Sequence, residues 1–393
     1  AEIAIKAGKP ERAIPISESF LAHDQLDGEA LVLLSRALIA SNQKSQAVEL
    51  LDRASAIAPE KPTSWLSLAR IWIDLGEQEQ AKQSLRKAKA ALPGDPQILT
   101  ALGKLYLENE EITDAISALK QAFELDSENP EVRKSLAAAW LKQGYLDEAW
   151  ETVSPLEEDY ASDPELALIL GRLALEQEDL VQARPWLKFA WQSLKNDEAL
   201  LAYSACLIGL NDKHPTKNQE ELETLLEALE TKSAQSSDDF EIVLLTTDLQ
   251  AAVGQAEEAY SGYLKLLDWP QAKAPRAYHH LQLQIGKTAG KLGLNDISLA
   301  SLQEAMLINP DNLETRHILT KAFLDSDLAE EANNTARSAL QIAPADLENV
   351  LWFSQFMSDN GNEKESIQVL KDAIHLRPED KTLYLTLARI HAR

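Results

Sequence analysis

The sequence predicts an all-α chain of antiparallel helix pairs arrayed in series. Three observations lead there. A set of small and apolar residues returns about every 34 residues along most of the 393-residue chain, and such self-similarity marks repeat architectures. The composition, 45% hydrophobic but only 6% aromatic, is dense in Ala, Leu, Glu, Gln and Lys, the strongest helix formers. Val, Ile and Thr are too scattered for a sheet. A chain of this length is either several domains or one extended array, and the period decides for the array.

The pattern is plainest from Trp65, followed by Leu68, Ala69, Gly76, Ala81, Leu85, Ala88 and Pro93. One period on stand Leu99, Leu102, Gly103, Ala115, Leu119 and Ala122. The next copies give Leu136, Ala137, Trp140, Gly144, Ala149, Val153 and Leu156, then Leu170, Gly171, Ala183, Leu187 and Ala190. Upstream, Leu31, Leu34, Ser35, Leu38, Ala47, Leu51, Ala54 and Pro59 keep the phase. Far downstream it returns in Leu319, Thr320, Phe323, Ala332, Ala339 and Pro344, and in Phe353, Ser354, Met357, Gly361, Leu370, Ala373 and Pro378.

Within a unit, apolar residues three and four apart define a first helix. A turn centred on Gly, Asn or an acid follows, and a second helix carries Ala, Leu and Ala on one face. Pro with Asp or Asn then closes the unit, as in ALPGDP, DSENP and INPDN. The small residue of the first helix (Ala69, Gly103, Ala137, Gly171) and the first alanine of the second (Ala81, Ala115, Ala149, Ala183) recur because two helices approach closely only where neither carries bulk.

These residues resemble the tetratricopeptide repeat signature of Trp, Leu, Gly, Tyr, Ala, Phe, Ala and Pro at set positions. The match is most specific in Trp65-Leu68-Ala69 with Gly76-Ala81-Leu85-Ala88-Pro93, and in Leu102-Gly103-Tyr106 with Ala115-Leu119-Ala122. The resemblance implies a TPR α-solenoid, a right-handed superhelix whose concave wall is lined by first helices.

In this phase complete units begin at 28, 62, 96, 130, 164, 198, 240, 279, 313 and 347. The expected organisation is a partial repeat over 1–27, a regular block of five units over 28–197, irregular expanded units over 198–278, a block of three units over 279–380, and a final partial repeat or capping helix over 381–393. Gly8 marks the turn of the first half-repeat and Ala13 opens its second helix. Both ends stop inside a repeat, so the sequence reads as part of a longer protein, with a self-capping last helix as the alternative at the C-terminus. In the irregular middle, GLNDKHPTKNQ replaces a tight turn, TKSAQSSDD forms a polar segment, and DWPQAKAP is inserted before His279. These are expected to be loops. Pro155 should bend its second helix, while Pro15 and Pro185 fall earlier in theirs and should disturb less.

Sixty-three acidic against thirty-eight basic residues give a formal charge of -25, which argues against a nucleic-acid surface. No apolar run is long enough to span a bilayer. The compartment stays open, with a soluble cytoplasmic setting favoured. Cys206, the single cysteine, excludes an intrachain disulfide and lies in an apolar first helix, as a buried thiol would. His279 and His280 are adjacent and so point to different helix faces. His214, His317, His375 and His391 lack ligand spacing, so all of these read as surface or partly packed side chains. The glycine-lysine pairs of LGKLYL and IGKTAG lack a phosphate-binding loop. No catalytic constellation is present, and no cofactor or metal is expected.

What remains is recognition. The resemblance places first-helix positions 2, 5, 9, 12 and 13 on the concave wall. Position 9 holds Arg36, Arg70, Lys104, Arg172, Lys287, Lys321 and Arg389; position 12 of the regular block adds Ile39, Ile73, Leu107, Leu141 and Leu175, and position 5 adds Val32, Leu66 and Leu168. The candidate contact set is Leu66, Arg70, Ile73, Lys104, Leu107, Lys134, Leu141, Leu168, Arg172 and Leu175. A basic and apolar stripe suits a protein or peptide of mixed acidic and hydrophobic character. Local pairing competes with this use, because Arg70, Lys104, Arg172 and Lys321 each stand four residues before an acid: Asp74, Glu108, Glu176 and Asp325.

Two specialised relatives fail at their working residues. The lysine-asparagine clamp of chaperone adaptors would need asparagines where Ala138 and Ile169 stand beside Lys134. An asparagine-lined groove would need them at Leu33, Ser67, Ala101, Ser135 and Ile169. The sequence therefore reads as a noncatalytic protein-interaction scaffold. Two alternatives stay open: the regulatory or targeting arm of a larger enzyme or membrane-associated assembly, and self-association.

Overall fold

A computed structural model of the chain describes residues 2–23, 27–57, 62–213 and 218–392; Pro59 and His214 of the sequence reading lie outside them. Regular structure among these residues is entirely helical, and the chain divides into two compact units, residues 1–203 and 204–393. The first unit contains α1 (Glu2–Lys6), α2 (Pro10–His23), α3 (Gly28–Ala40), α4 (Lys44–Ile57), α5 (Pro62–Asp74), α6 (Gln78–Ala91), α7 (Pro96–Glu108), α8 (Ile112–Leu125), α9 (Pro130–Gln143), α10 (Leu146–Val153), α11 (Pro164–Glu176) and α12 (Leu180–Leu194). The division falls within α13 (Asp197–Lys213). The second unit continues with α14 (Gln219–Gln235), α15 (Phe240–Val253), α16 (Ala256–Leu266), α17 (Pro275–Lys291), α18 (Asn295–Ile308), α19 (Leu313–Asp325), α20 (Ala329–Ile342), α21 (Leu347–Asp359), α22 (Glu363–Leu376) and α23 (Lys381–His391). This is the paired-helix architecture of a TPR α-solenoid.

Each helix boundary has a local cause. The acid or amide closing one unit caps the first helix of the next. Asp27, Asp95, Asp163 and Asp239 each accept two backbone N–H bonds from the first turn, and Asn129, Asn312, Asp346 and Asp380 at least one. The turn inside each pair depends on its fifteenth residue, which adopts the left-handed conformation. Glycine supplies it in five units, for example Gly76 at φ +83° and Gly144 at +85°, while Asn42, Glu110, Glu178 and Asp327 do so near +60°. The unit beginning at 198 departs from this, because α13 runs on through the place where the turn would fall.

Packing within a pair follows the small-residue code. A Cβ added at Gly103 would run into Leu119, one at Gly171 into Leu187, and one at Gly286 into Leu302, so sixteen residues separate the partners each time. All three leucines are fully buried. In the first unit a single apolar core extends from Leu31 to Ala139, and stacked repeats bury a continuous face in this way.

The structure corrects several expectations. The insertion after residue 209 does not open as a loop at once: α13 continues to Lys213, because Asn211 donates to the Ala252 carbonyl and holds the extra turn in place. Thr231 to Gln235 of the polar segment are the last turn of α14. The DWPQAKAP insertion contains a 3-10 turn, Pro270–Lys273, and the next first helix starts at Pro275, before the histidines. Pro155 does more than bend its helix. Lacking an N–H and crowding the residue before it, Pro155 stops α10 at Val153, and a 3-10 segment, Ser154–Ser162, follows. Pro15 and Pro185 sit inside intact helices. Cys206 is fully buried.

Candidate functional site

Position 9 of each first helix lies beside the start of the next first helix, so the cations of the stripe meet the acids of the following repeat. Lys104 bonds Glu131, Arg172 bonds Glu198 and Lys287 bonds Glu314. At position 5, Lys134 reaches Asp163 at 2.7 Å, Glu131 at 3.2 Å and Glu165 at 3.4 Å. An acid in the first turn also complements the helix dipole, so one carboxylate serves both its own helix and the joint between repeats.

These contacts overturn the expectation of local pairing. Among the described residues, Lys104–Glu108, Arg172–Glu176, Arg70–Asp74 and Lys321–Asp325 do not close as ion pairs. Lys104 and Arg172 reach forward instead, because an extended side chain at position 9 meets a carboxylate at the neighbouring helix start without folding back along its own helix. Burial holds the Lys104 ammonium below its ordinary pKa, with nearby carboxylates such as Glu165 opposing that effect. Burial raises the Asp163 carboxyl, but the Lys134 hydrogen bond and the Leu166 and Glu165 amides outweigh it and hold the group below the usual range.

The candidate set separates accordingly. Leu107, Leu141 and Leu168 are 9%, 7% and 7% exposed, and Lys134 is as buried as Leu107; they offer little surface to a ligand. Leu66 and Leu175 are half-buried, as are Lys104 and Arg172, both already paired. Ile73 and Arg70 are exposed.

Arg70 differs from Lys104, Arg172 and Lys287, and so does Arg36, the position-9 cation one repeat earlier. Neither guanidinium enters an ion pair among the described residues, and the reason is legible one repeat on. Thr63 and Gln97 stand where Glu131 and Glu314 stand elsewhere. Both arginines line a groove of about 430 Å³ between α3 and α5, together with Ile39, Ser67, Asp74 and, from α1, Ile5. Asp74 is the one carboxylate among these lining residues, so the groove combines an excess of positive charge with apolar surface.

In the second unit the same joint appears with its charges exchanged. Position 9 of α15 is Asp248, and position 2 of the following repeat is His280, whose Nε2 lies 3.1 Å from both carboxylate oxygens. The Tyr263 hydroxyl donates to Oδ1 at 2.7 Å. His279, pointing the other way, meets Thr315 at 3.1 Å, and His317 stacks on Trp352 while meeting Asn349 Oδ1 at 2.9 Å. The histidines are thus joint residues. No group of three or more His, Cys, Asp or Glu able to hold a metal occurs among the described residues, and no described helix is long and apolar enough to cross a membrane.

The family model described as tetratricopeptide repeat matches residues 4–62, 45–105 and 106–173. A comparison with curated proteins found no match. Similar solved structures include the crystal structure of the APC/C hetero-tetramer Cut9–Hcn1, at 11% identity over 99% of this chain and 94% of that chain with a TM-score of 0.46. Another is the structure of Naa15/Naa10 bound to HypK-THB, at 13% identity over 93% of this chain and 66% of that chain with a TM-score of 0.35.

Proposed function

Because residues 4–173 match the tetratricopeptide repeat family model, we propose that the chain is a noncatalytic scaffold that binds a segment of a partner protein on the concave face of its first helices, with the groove between α3 and α5 as the principal contact. The observation carrying this reading is the pair Arg36 and Arg70, position-9 cations of the first unit that line one groove and enter no ion pair among the described residues. A carboxylate entering the groove would meet two guanidinium groups that hold no ion pair among the described residues. Ile39 and Ile73 stand one turn further along the same helices and offer apolar contact. The fitting partner is an extended or helical segment with acidic and hydrophobic residues in alternation.

The reading is tested by fluorescence anisotropy with labelled peptides alternating Leu and Glu, and with matched peptides carrying Gln in place of Glu. Binding of the acidic series, weakened at least tenfold in an R36E/R70E variant and unchanged in K104M, is the expected outcome. Equal affinity of the variant and the original chain, with the helical circular dichroism of both intact, would remove the groove from consideration. So would equal binding of the Gln peptides.

A further inference from the structure

The exchanged joint between α15 and α17 differs from the other position-9 joints in one chemical respect. Lysine and arginine keep their charge throughout the physiological range, so Lys104–Glu131, Arg172–Glu198 and Lys287–Glu314 hold equally at pH 6 and pH 8. The imidazole of His280 does not. Among the described residues His280 is the histidine that enters an ion pair. Its partner has little contact with water: the Asp248 side chain is 9% exposed, against 37% for His280. The Tyr263 hydroxyl pins Asp248 from α16, so Asp248 stays in place whether or not His280 is charged.

We infer that the His280–Asp248 contact is a pH-sensitive joint, tight when His280 is protonated and loosened when it is neutral, that sets how firmly α17 is held against the preceding helix pair. The charged groups around it support that direction. From α15, Asp248 favours the imidazolium. From α16 comes the neutral Tyr263 hydroxyl. On α17 itself, Lys287 and any charge on His279 oppose the imidazolium, and from α19 Glu314 favours it. Burial works against the charge, but the hydrogen bond and attraction from Asp248 prevail and raise the His280 pKa above its ordinary value. A group whose pKa is raised on folding contributes stability that is complete below its unfolded value, about 6.5, and is lost as pH rises through its folded value. The neighbouring histidines are displaced the other way: burial lowers the pKa of both His279 and His317. Asp248 and Tyr263 also line a cavity of about 210 Å³ with Asn211, Gln284, Lys287 and Thr288. Loosening the joint would thus alter an inner surface of the second unit. This inference stands apart from the arginine groove, which lies in the first unit.

The test follows the full chain by NMR and hydrogen exchange between pH 5.5 and 8.5. The His280 imidazole should titrate above the ordinary histidine midpoint, and D248N should lower that midpoint. Amide protection across α15 to α17, corrected for intrinsic exchange, should fall with rising pH by roughly tenfold for each pH unit by which the midpoint is displaced. In H280Q, which retains a hydrogen-bonding side chain without a titrating charge, protection of the same amides should be low and independent of pH. A midpoint at or below the free-histidine value would overturn the inference, as would equal pH dependence in the original chain and H280Q. Neither result depends on D248N folding.

Discussion

Replacing Gly103 by alanine sets two known effects against each other. Alanine in a helix interior is favoured over glycine by about 1 kcal/mol. The added Cβ, however, would clash with Leu119 Cγ and lie 2.8 Å from Cδ2 and 3.1 Å from Cδ1. Leu119 is fully buried, so it cannot move aside without displacing its own neighbours, and overpacking of this kind costs about 1–3 kcal/mol. The net expectation is a loss of about 0–2 kcal/mol, whereas propensity alone predicts a gain. G290A supplies the control, because its Cβ meets only the Ser298 hydroxyl at 3.3 Å and Cβ at 4.0 Å, and it should be neutral or stabilising. L119A alone should cost about 2–5 kcal/mol. In the G103A background that cost should shrink by the overpacking relieved, a coupling of about 1–3 kcal/mol. Guanidinium unfolding followed by circular dichroism gives these values, with hydrogen exchange locating the loss, since a repeat array need not unfold in one step. Additive single effects, or a G103A gain equal to that of G290A, would refute the packing argument.

Two further outcomes concern a joint and a thiol. K134M removes the ammonium shared by Asp163, Glu131 and Glu165 and should cost about 1 kcal/mol near neutral pH. Because Asp163 is held below its ordinary value, its contribution is present above about pH 4 and lost as pH falls through its folded value; the stability difference between K134M and the original chain should therefore narrow in acid, and a constant difference down to pH 3 would contradict the assignment. Cys206, fully buried, should react with iodoacetamide only as the second unit opens, so labelling at the free-thiol rate under native conditions would show that α13 is packed otherwise.

The repeat code was legible because it is local. Gly103 and Leu119, or Ala69 and Leu85, meet within one helix pair, and the connecting turn keeps them sixteen residues apart wherever the unit recurs. The capping residues are equally local: an aspartate or asparagine before the first helix bonds the amides two or three positions ahead. The failures share a different cause. Whether the insertion after α13 is loop or helix depends on the Ala252 carbonyl, far along the chain, that receives Asn211. Whether α10 bends or ends at Pro155 depends on what can pack against the segment that follows.

The candidate cations show the same division most sharply. Their recurrence at position 9 was visible in the sequence, and so was an acid four residues further along several of the same helices. Coulomb attraction acts through space, and the nearest available carboxylate proved to belong to the next repeat. Composition, period and packing positions, all properties of neighbouring residues, established the all-α helix-pair repeat. The choice among partners belonged to the tertiary structure, because stacking brings position 9 against the next helix start: it engaged Lys104, Lys134 and Arg172, left Arg36 and Arg70 without an ion pair among the described residues, and put a titratable histidine opposite Asp248.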